Sequence, residues 1–227
     1  MNTINRIESG IPGLDSMLYG GFLVPSSVLI AGEPGTGKTT FVLQSLFYGA
    51  SKDQQGLYIT AISEPPWLSQ RYMSSFSFYD ESVIEKEKIV FVDIGDSLLK
   101  DPLGIVKDIE SLTEKYRPKR LVIDPITPMK NLWTQSGLTR ELIHELLTHL
   151  KVFTTFTLIT SELTTATYSS SIEAYMVDGV ILLSYPEENN VRRKYIEVLK
   201  MRGTKHNTGT ELLEIDSDGI KIGAGIY

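Results

Sequence analysis

The chain has 227 residues and a formal net charge of −6, from 22 lysine and arginine residues against 28 aspartate and glutamate residues. Its composition, 41% hydrophobic and 22% charged, is that of a globular protein and excludes a wholly disordered chain. The lack of cysteine excludes disulfide frameworks, thiolate metal sites and cysteine nucleophiles, and the acidic balance argues against a general polyanion binder.

The apolar runs are short. The run Val28–Ala31 has the length of a strand, far below the roughly 20 residues of a membrane-spanning helix. The N-terminus shows no basic region followed by an apolar core, as a secretory signal would. From the sequence we therefore expect a cytoplasmic protein with no membrane segment.

The first predicted strand, Ser27–Ala31, leads into a glycine-rich loop and a predicted helix, Thr40–Ala50. The loop matches G-x-x-x-x-G-K-[ST] in full, with Gly32, Glu33, Pro34, Gly35, Thr36, Gly37, Lys38 and Thr39. In a strand–loop–helix context this motif predicts a nucleotide site, because the backbone amides and the helix N-terminus surround the phosphates. We expect Lys38 to reach the β- and γ-phosphates, Thr39 to ligate Mg²⁺ and Thr40 to complete the nucleotide-binding set.

A second predicted strand, Gly56–Ile62, ends close to Glu64. Ligands of parallel sheets bind at the carboxyl ends of the strands. Glu64 is therefore our candidate for the carboxylate that positions or deprotonates the attacking water. Another strand is predicted over Lys88–Asp93, and Asp101-Pro102 has the capping acceptor and proline typical of a helix start.

Arg120–Asp124 is an apolar strand that ends in a carboxylate. This is the Walker B pattern, and it predicts that Asp124 holds Mg²⁺ through water. A helical apolar stripe then runs from Leu142 to Leu150, followed by a predicted strand, Thr154–Thr160. Ser161 follows that strand and is a candidate sensor of the γ-phosphate through its hydroxyl group.

Three further strands are predicted after Gly179–Ser184, over Arg193–Lys200, Glu211–Ile215 and Gly219–Ile222. An Asp-Ser-Asp-Gly turn joins the last two, which predicts a hairpin. The alternation of strands and helices predicts an α/β fold, with a mostly parallel β-sheet flanked by helices and a C-terminal antiparallel β extension. No linker or repeat divides the chain, so we expect a single domain over 1–227.

Four motifs occur in a characteristic order: Ser9-Gly10-Ile11-Pro12-Gly13-Leu14-Asp15, Gly20-Gly21-Phe22, the phosphate loop, and Lys200-Met201-Arg202-Gly203-Thr204-Lys205-His206. In these motifs the sequence resembles a single KaiC-type domain of the RecA superfamily, particularly its one-domain archaeal members, some described as RadA paralogues. The resemblance implies a RecA-like P-loop NTPase core that binds ATP and Mg²⁺. It also implies a homo-oligomeric ring, often a hexamer, with ATP between subunits. In such rings Lys200, Arg202 and His206 would act on the γ-phosphate held by the adjacent subunit.

One departure from the family pattern lowers the expected rate. KaiC-type sites commonly carry paired glutamates where this chain has Ser63-Glu64. With one carboxylate missing, the sequence predicts a weak ATPase.

Two other classes of function stay open at this point. A single-stranded DNA-binding recombination accessory protein would use two loops, here Met129–Gly137 with Lys130 and Trp133, and Leu163–Ser171. A non-hydrolysing switch would bind ATP to control assembly or docking to a partner protein that the sequence does not identify.

Overall fold

The computed structural model describes residues 5–61, 65–153, 156–188 and 190–223. The strands in these residues are β1 (Arg6–Ile7), β2 (Phe22–Leu23), β3 (Ser26–Gly32), β4 (Gly56–Thr60), β5 (Ile89–Asp93), β6 (Arg120–Ile123), β7 (Phe156–Ser161), β8 (Gly179–Ser184), β9 (Glu187–Glu188), β10 (Val191–Arg192), β11 (Lys194–Met201), β12 (Thr210–Asp216) and β13 (Gly219–Gly223). The helices are α1 (Leu14–Met17), α2 (Lys38–Ser51), α3 (Pro66–Met73), α4 (Glu81–Glu85), α5 (Gly95–Lys100), α6 (Ile105–Tyr116), α7 (Thr127–Ser136), α8 (Thr139–Val152) and α9 (Ile172–Met176), with a 3₁₀ turn at Tyr168–Ser170.

One mixed sheet organises the fold, with the strand order β13-β12-β11-β8-β3-β7-β6-β4-β5. The six strands from β8 to β5 in this order are parallel, and β11, β12 and β13 add an antiparallel extension. The predicted fold class is therefore confirmed. β3, which carries the phosphate loop, lies near the middle of the sheet, between β8 and β7.

The continuous apolar run of β3 follows from burial on both faces of the sheet. Val28 and Ile30 pack into one hydrophobic cluster, whereas Leu29 and Ala31 pack into the other. Since successive side chains of a strand point to opposite faces, a strand covered on both sides needs an apolar residue at every position. The carboxyl end of β3 is thus rigidly held where the phosphate loop begins.

Two sequence predictions about helices were wrong. The helix predicted at Asp101-Pro102 begins at Ile105, because Asp101 caps a turn by accepting a hydrogen bond from the Gly104 N–H at 3.0 Å. The predicted loop Met129–Gly137 is mostly helix α7, whose buried Met129 and Trp133 pack into the core.

Helix α2 leads away from the phosphate loop and is attached near its middle by Gln44. This amide donates to the carbonyls of Ile220 at 2.9 Å and Gly10 at 3.3 Å, and it accepts from the Ile220 N–H at 2.6 Å. It therefore joins the helix to β13 and to the N-terminal segment. In the part of the chain that the structure describes, no helix has the length and apolar character needed to cross a membrane.

Candidate functional site

The phosphate loop turns so tightly that its first glycine has no room for a side chain. A Cβ on Gly32 would lie 2.6 Å from the Leu183 carbonyl oxygen and 2.7 Å from Thr36 Oγ1. Gly35 and Gly37 have φ angles of +82° and +102°, a region that favours glycine. The loop is therefore shaped by its glycines into a turn whose amides and following helix N-terminus suit a bound phosphate.

Lys38 opens α2 and folds back over the loop. Its ammonium group donates to the carbonyls of Gly32 at 2.9 Å and Glu33 at 3.0 Å. Burial lowers the pKa of Lys38, while the carboxylates of Glu162 and Asp124 act in the opposite direction. The loop thus already holds one cationic group directed at the space where phosphates would lie.

Asp124 follows β6 and is almost completely buried, with 5% of its surface exposed. Its N–H donates to the Ile59 carbonyl at 2.9 Å, which holds the backbone in line with the neighbouring strand β4. The Tyr58 hydroxyl donates to Asp124 Oδ2 at 2.8 Å, and the Thr160 hydroxyl donates to Oδ1. A buried carboxylate with neutral partners is costly, and a cation bound beside it would reduce that cost.

These groups meet in one cavity of about 520 Å³ at the carboxyl edge of the sheet. Its lining includes Lys38, Thr39, Thr40, Asp124 and Glu162. A hydroxyl group and carboxylates are the oxygen ligands that Mg²⁺ prefers, and the loop amides and Lys38 suit phosphate oxygens. The donor set therefore fits a magnesium–nucleotide complex.

Ser161, one of the predicted nucleotide-binding residues, does not line this cavity. The Ser161 hydroxyl is buried and donates to Glu173 Oε1 at 3.1 Å. Its role as a γ-phosphate sensor stays a prediction without support from this geometry. Glu64 lies outside the described residues, so its predicted role as the catalytic carboxylate is likewise untested.

Lys200 and Arg202 lie at the opposite edge of the sheet from the phosphate loop. Gly32 pairs with Leu183, which pairs with Ile196 on the antiparallel strand β11. Lys200 is four residues beyond Ile196 along that strand, a distance of about 13 Å at roughly 3.3 Å per residue. These cationic residues are therefore remote from the nucleotide cavity of their own chain.

The side chains at this opposite edge are gathered around the end of α9. The Lys200 ammonium donates to the carbonyls of Ala174 at 3.0 Å, Tyr175 at 2.8 Å and Val177 at 2.6 Å. Burial, together with the positive charge of Arg202, lowers the pKa of Lys200 to about 8.

Arg202 is more accessible, with 51% of its side chain exposed, and its guanidinium lies 3.6 Å from Asp178 Oδ1. The His206 side chain, by contrast, is half-buried, and its Nδ1 finds no hydrogen-bond partner among residues 5–61, 65–153, 156–188 and 190–223.

Sequence reasoning missed three residues that contribute to the cavity or its support. Glu162 adds a second described carboxylate, and Tyr58 holds Asp124. Lys194 donates to the Gly35 carbonyl and lies 4.0 Å from the centre of the Tyr185 ring. Glu162 has a signal in the sequence, because it directly follows a strand of the parallel sheet, but the roles of Tyr58 and Lys194 depend on the strand order.

The structure gives no support to DNA binding through the first of the two predicted loops, Met129–Gly137. The Trp133 ring is buried, and its indole N–H donates to the Pro102 carbonyl at 2.6 Å. Lys130 is paired with the buried Glu173 at 2.5 Å. A base-stacking site needs accessible aromatic and cationic groups, which these two residues do not provide.

Known proteins share this fold and its motifs. A family model described as "ATPase: KaiC" matches residues 7–225. The circadian clock oscillator protein KaiC of Parathermosynechococcus lividus is 30% identical over 96% of this chain, which spans 42% of that relative's length. A UPF0273 protein of Thermotoga maritima is also 30% identical, and here 96% of each chain is covered.

A solved structure agrees with these sequence matches. The crystal structure of a KaiC-like protein from Pyrococcus horikoshii superposes with a TM-score of 0.84 at 30% identity, covering 97% of this chain and all of the other. This likeness confirms the predicted RecA-like core. With the phosphate loop and Asp124 at one edge of that core, the chain is an ATP-binding protein of the RecA type and belongs to the KaiC family of ATPases.

Proposed function

We propose that this chain is a magnesium-dependent, slow ATPase whose active site is completed by the adjacent copy in a homo-oligomeric ring, with six copies as the expected number. The observation that carries the proposal is the separation of two sets of groups. Lys38, Thr39 and Asp124 share one cavity, whereas Lys200 and Arg202 lie at the other edge of the sheet. A head-to-tail ring brings the second set of one copy to the first set of the next.

Within one chain, the phosphate loop and Lys38 would bind the β- and γ-phosphates. Thr39 and Asp124 would hold Mg²⁺, which neutralises charge on the phosphates when it is bound. Glu64 is the proposed group that orients the attacking water, and Glu162 is a further carboxylate in the cavity lining. Since Ser63 stands where one of the paired glutamates is expected, slow turnover is expected.

The adjacent copy would supply Arg202, Lys200 and His206. Half of the Arg202 side chain is already exposed, so it is available to a neighbour. Positive charge placed at the γ-phosphate oxygens by such an arginine accelerates phosphoryl transfer by about 10³–10⁵. Hydrolysis would therefore depend on assembly.

Phosphate release per subunit, measured with saturating Mg²⁺-ATP while the protein concentration is raised, tests this proposal. Specific activity should climb and then level as rings form, in step with particle mass measured by light scattering. Activity from a proven monomer would contradict completion of the site by a neighbour.

The same titration separates the ATPase from an ATP-gated switch. Tight nucleotide binding with turnover below roughly one per hour, against the 1–10³ per second usual for enzymes, would replace the ATPase by the switch. A protein that binds no ATP would contradict both.

A further inference from the structure

The magnesium carboxylate has an unusual pair of partners among the described residues. Both oxygens of Asp124 accept hydrogen bonds from hydroxyl groups, one from Tyr58 and one from Thr160. The two donors come from β4 and β7, the strands on either side of β6 in the sheet. The carboxylate is therefore held from both flanks.

The register of the sheet explains how the two hydroxyls reach one side chain. Ile123 pairs with Ile159, so Asp124 and Thr160 follow at the same level. Tyr58 pairs with Val122, two positions below Asp124, and its long side chain spans that distance to the carboxylate. Its ring is 2% exposed and packs 5.1 Å from the ring of Phe91, which fixes the position of the hydroxyl.

The chemistry of this contact leaves Asp124 able to bind a cation. Each carboxylate oxygen has two acceptor positions, and one hydroxyl donor occupies one of them. The donors are neutral, so they restrict the orientation of the carboxylate without cancelling its charge. Such outer partners commonly set the affinity of a metal site by orienting its ligands.

We propose that Tyr58 and Thr160 are positioning residues that hold Asp124 in the orientation that binds Mg²⁺ at the nucleotide. This inference rests on the proposed function, because it concerns the metal of that same site. It assigns to two buried hydroxyls an effect on metal affinity that is separate from nucleotide affinity.

The chain offers a matched control for each substitution. Thr157 lies on the same strand as Thr160 and is fully buried, yet its hydroxyl has no partner in the described part of the chain. Tyr79 is a half-buried tyrosine of the same hydrophobic cluster as Tyr58 and packs 5.1 Å from Phe47. Thr157→Val and Tyr79→Phe each remove a hydroxyl group, as Thr160→Val and Tyr58→Phe do, but at positions where the hydroxyl does not contact Asp124.

The test measures binding of a fluorescent, non-hydrolysable ATP analogue, first in EDTA and then as Mg²⁺ is added. Tyr58→Phe and Thr160→Val should each raise the Mg²⁺ concentration for half-saturation by about tenfold, the lower end of the range for such outer partners. Affinity in EDTA should stay at the wild-type value, which also shows that the variants are folded. Titration with Mn²⁺, followed by its electron paramagnetic resonance signal, should likewise show weaker metal binding in Tyr58→Phe and Thr160→Val than in the wild type and the control variants.

Three results would overturn the inference without touching the proposed function. One is wild-type Mg²⁺ dependence in both variants, and another is a shift as large in Thr157→Val and Tyr79→Phe as in the test variants. A variant that loses affinity in EDTA together with its Mg²⁺ response would also overturn it, because the hydroxyls would then act on the whole site. Wild-type protein that binds no nucleotide would overturn the proposed function and this inference with it.

Discussion

Gly32 is the last residue of the central strand β3 and the first of the phosphate loop, and there is no space for a side chain at this position. The nearest atoms to a Cβ there include a backbone oxygen of β8, which cannot move without disturbing the strand. The loop is thus built against the sheet, and its geometry depends on the neighbouring strand as well as on its own glycines.

Replacement of this glycine should therefore destabilise the fold. We expect Gly32→Ala to lower the free energy of unfolding by about 2 kcal/mol, the usual cost of forcing an extra carbon into a packed site. Gly223→Ala is the control, because no atom of the described residues other than its chain neighbours lies within 4 Å of its added carbon, and it should change stability by less than about 0.5 kcal/mol. Urea denaturation measures both, and equal stabilities of the two variants would contradict the packing argument.

Lys200 predicts a dependence of stability on pH. Its pKa is lowered to about 8 in the folded chain, mainly by burial, whereas an unfolded lysine titrates near 10.5. Between these values the unfolded state binds more protons, so the contribution of Lys200 to stability is fully present above pH 10.5 and is lost as pH falls through about 8.

The variant Lys200→Met isolates this contribution. The difference in free energy of unfolding between wild type and Lys200→Met should move in favour of the wild type as pH rises from 8 to 10. Lys205→Met, which removes a lysine from an exposed neighbouring position, is the control. Denaturation at several pH values measures the difference in free energy of unfolding. A difference between wild type and Lys200→Met that does not change with pH would contradict the prediction.

At the scale of elements, α2 is held at two points by different means. Its N-terminus is set by the glycine-rich loop, and its middle is fastened by the Gln44 amide to β13 and the N-terminal segment. The contacts of Gln44 are not local in sequence, since Gln44 is 34 residues from Gly10 and 176 residues from Ile220. The helix that carries Lys38 and Thr39 is thereby tied to both ends of the described chain.

Gln44→Leu tests this attachment. The substitution keeps the size of the side chain but leaves the buried N–H and carbonyl of Ile220 without a partner, so we expect a loss of about 2–4 kcal/mol. Gln55→Leu removes a comparable but exposed hydrogen bond, to the Glu87 carbonyl, and should cost about 0.5 kcal/mol or less. Equal losses in the two variants would show that Gln44 has no special structural role.

Local pattern predicted most strands, yet it misplaced two helices for a physical reason. Asp101 does act as a capping acceptor, but it accepts from the Gly104 N–H and so closes a turn before the helix, which begins at Ile105. The residues of α7 carry a lysine and a tryptophan that suit a DNA-binding loop when considered alone. Their burial and ion pairing depend on α9 and on the segment before α6, which no local window contains.

At the scale of the whole molecule, the strand order separates the cationic residues of the late motif from the phosphate loop. We expect Lys38→Ala and Arg202→Ala each to abolish phosphate release, and an equal mixture of the two to recover activity. In a ring with random assembly about a quarter of the interfaces combine an intact loop with an intact arginine, so about a quarter of the wild-type rate should return.

A control makes the mixing experiment specific. Mixing either single variant with the double variant Lys38→Ala/Arg202→Ala should restore no activity, because no interface is then complete. Failure of the first mixture, in rings shown by mass to contain both variants, would mean that Lys38 and Arg202 must come from the same chain.

The sequence by itself determined the parts of this protein that are coded locally. The phosphate loop, the apolar strand before Asp124 and the final hairpin each lie within a few consecutive residues, so a short stretch of sequence is enough to predict them. Only the tertiary structure decided which distant groups meet: Tyr58 and Thr160 at Asp124, Glu162 in the cavity, and Lys194 at the phosphate loop. The reason is that strand order and register set these encounters, and both arise from packing between segments far apart in the chain.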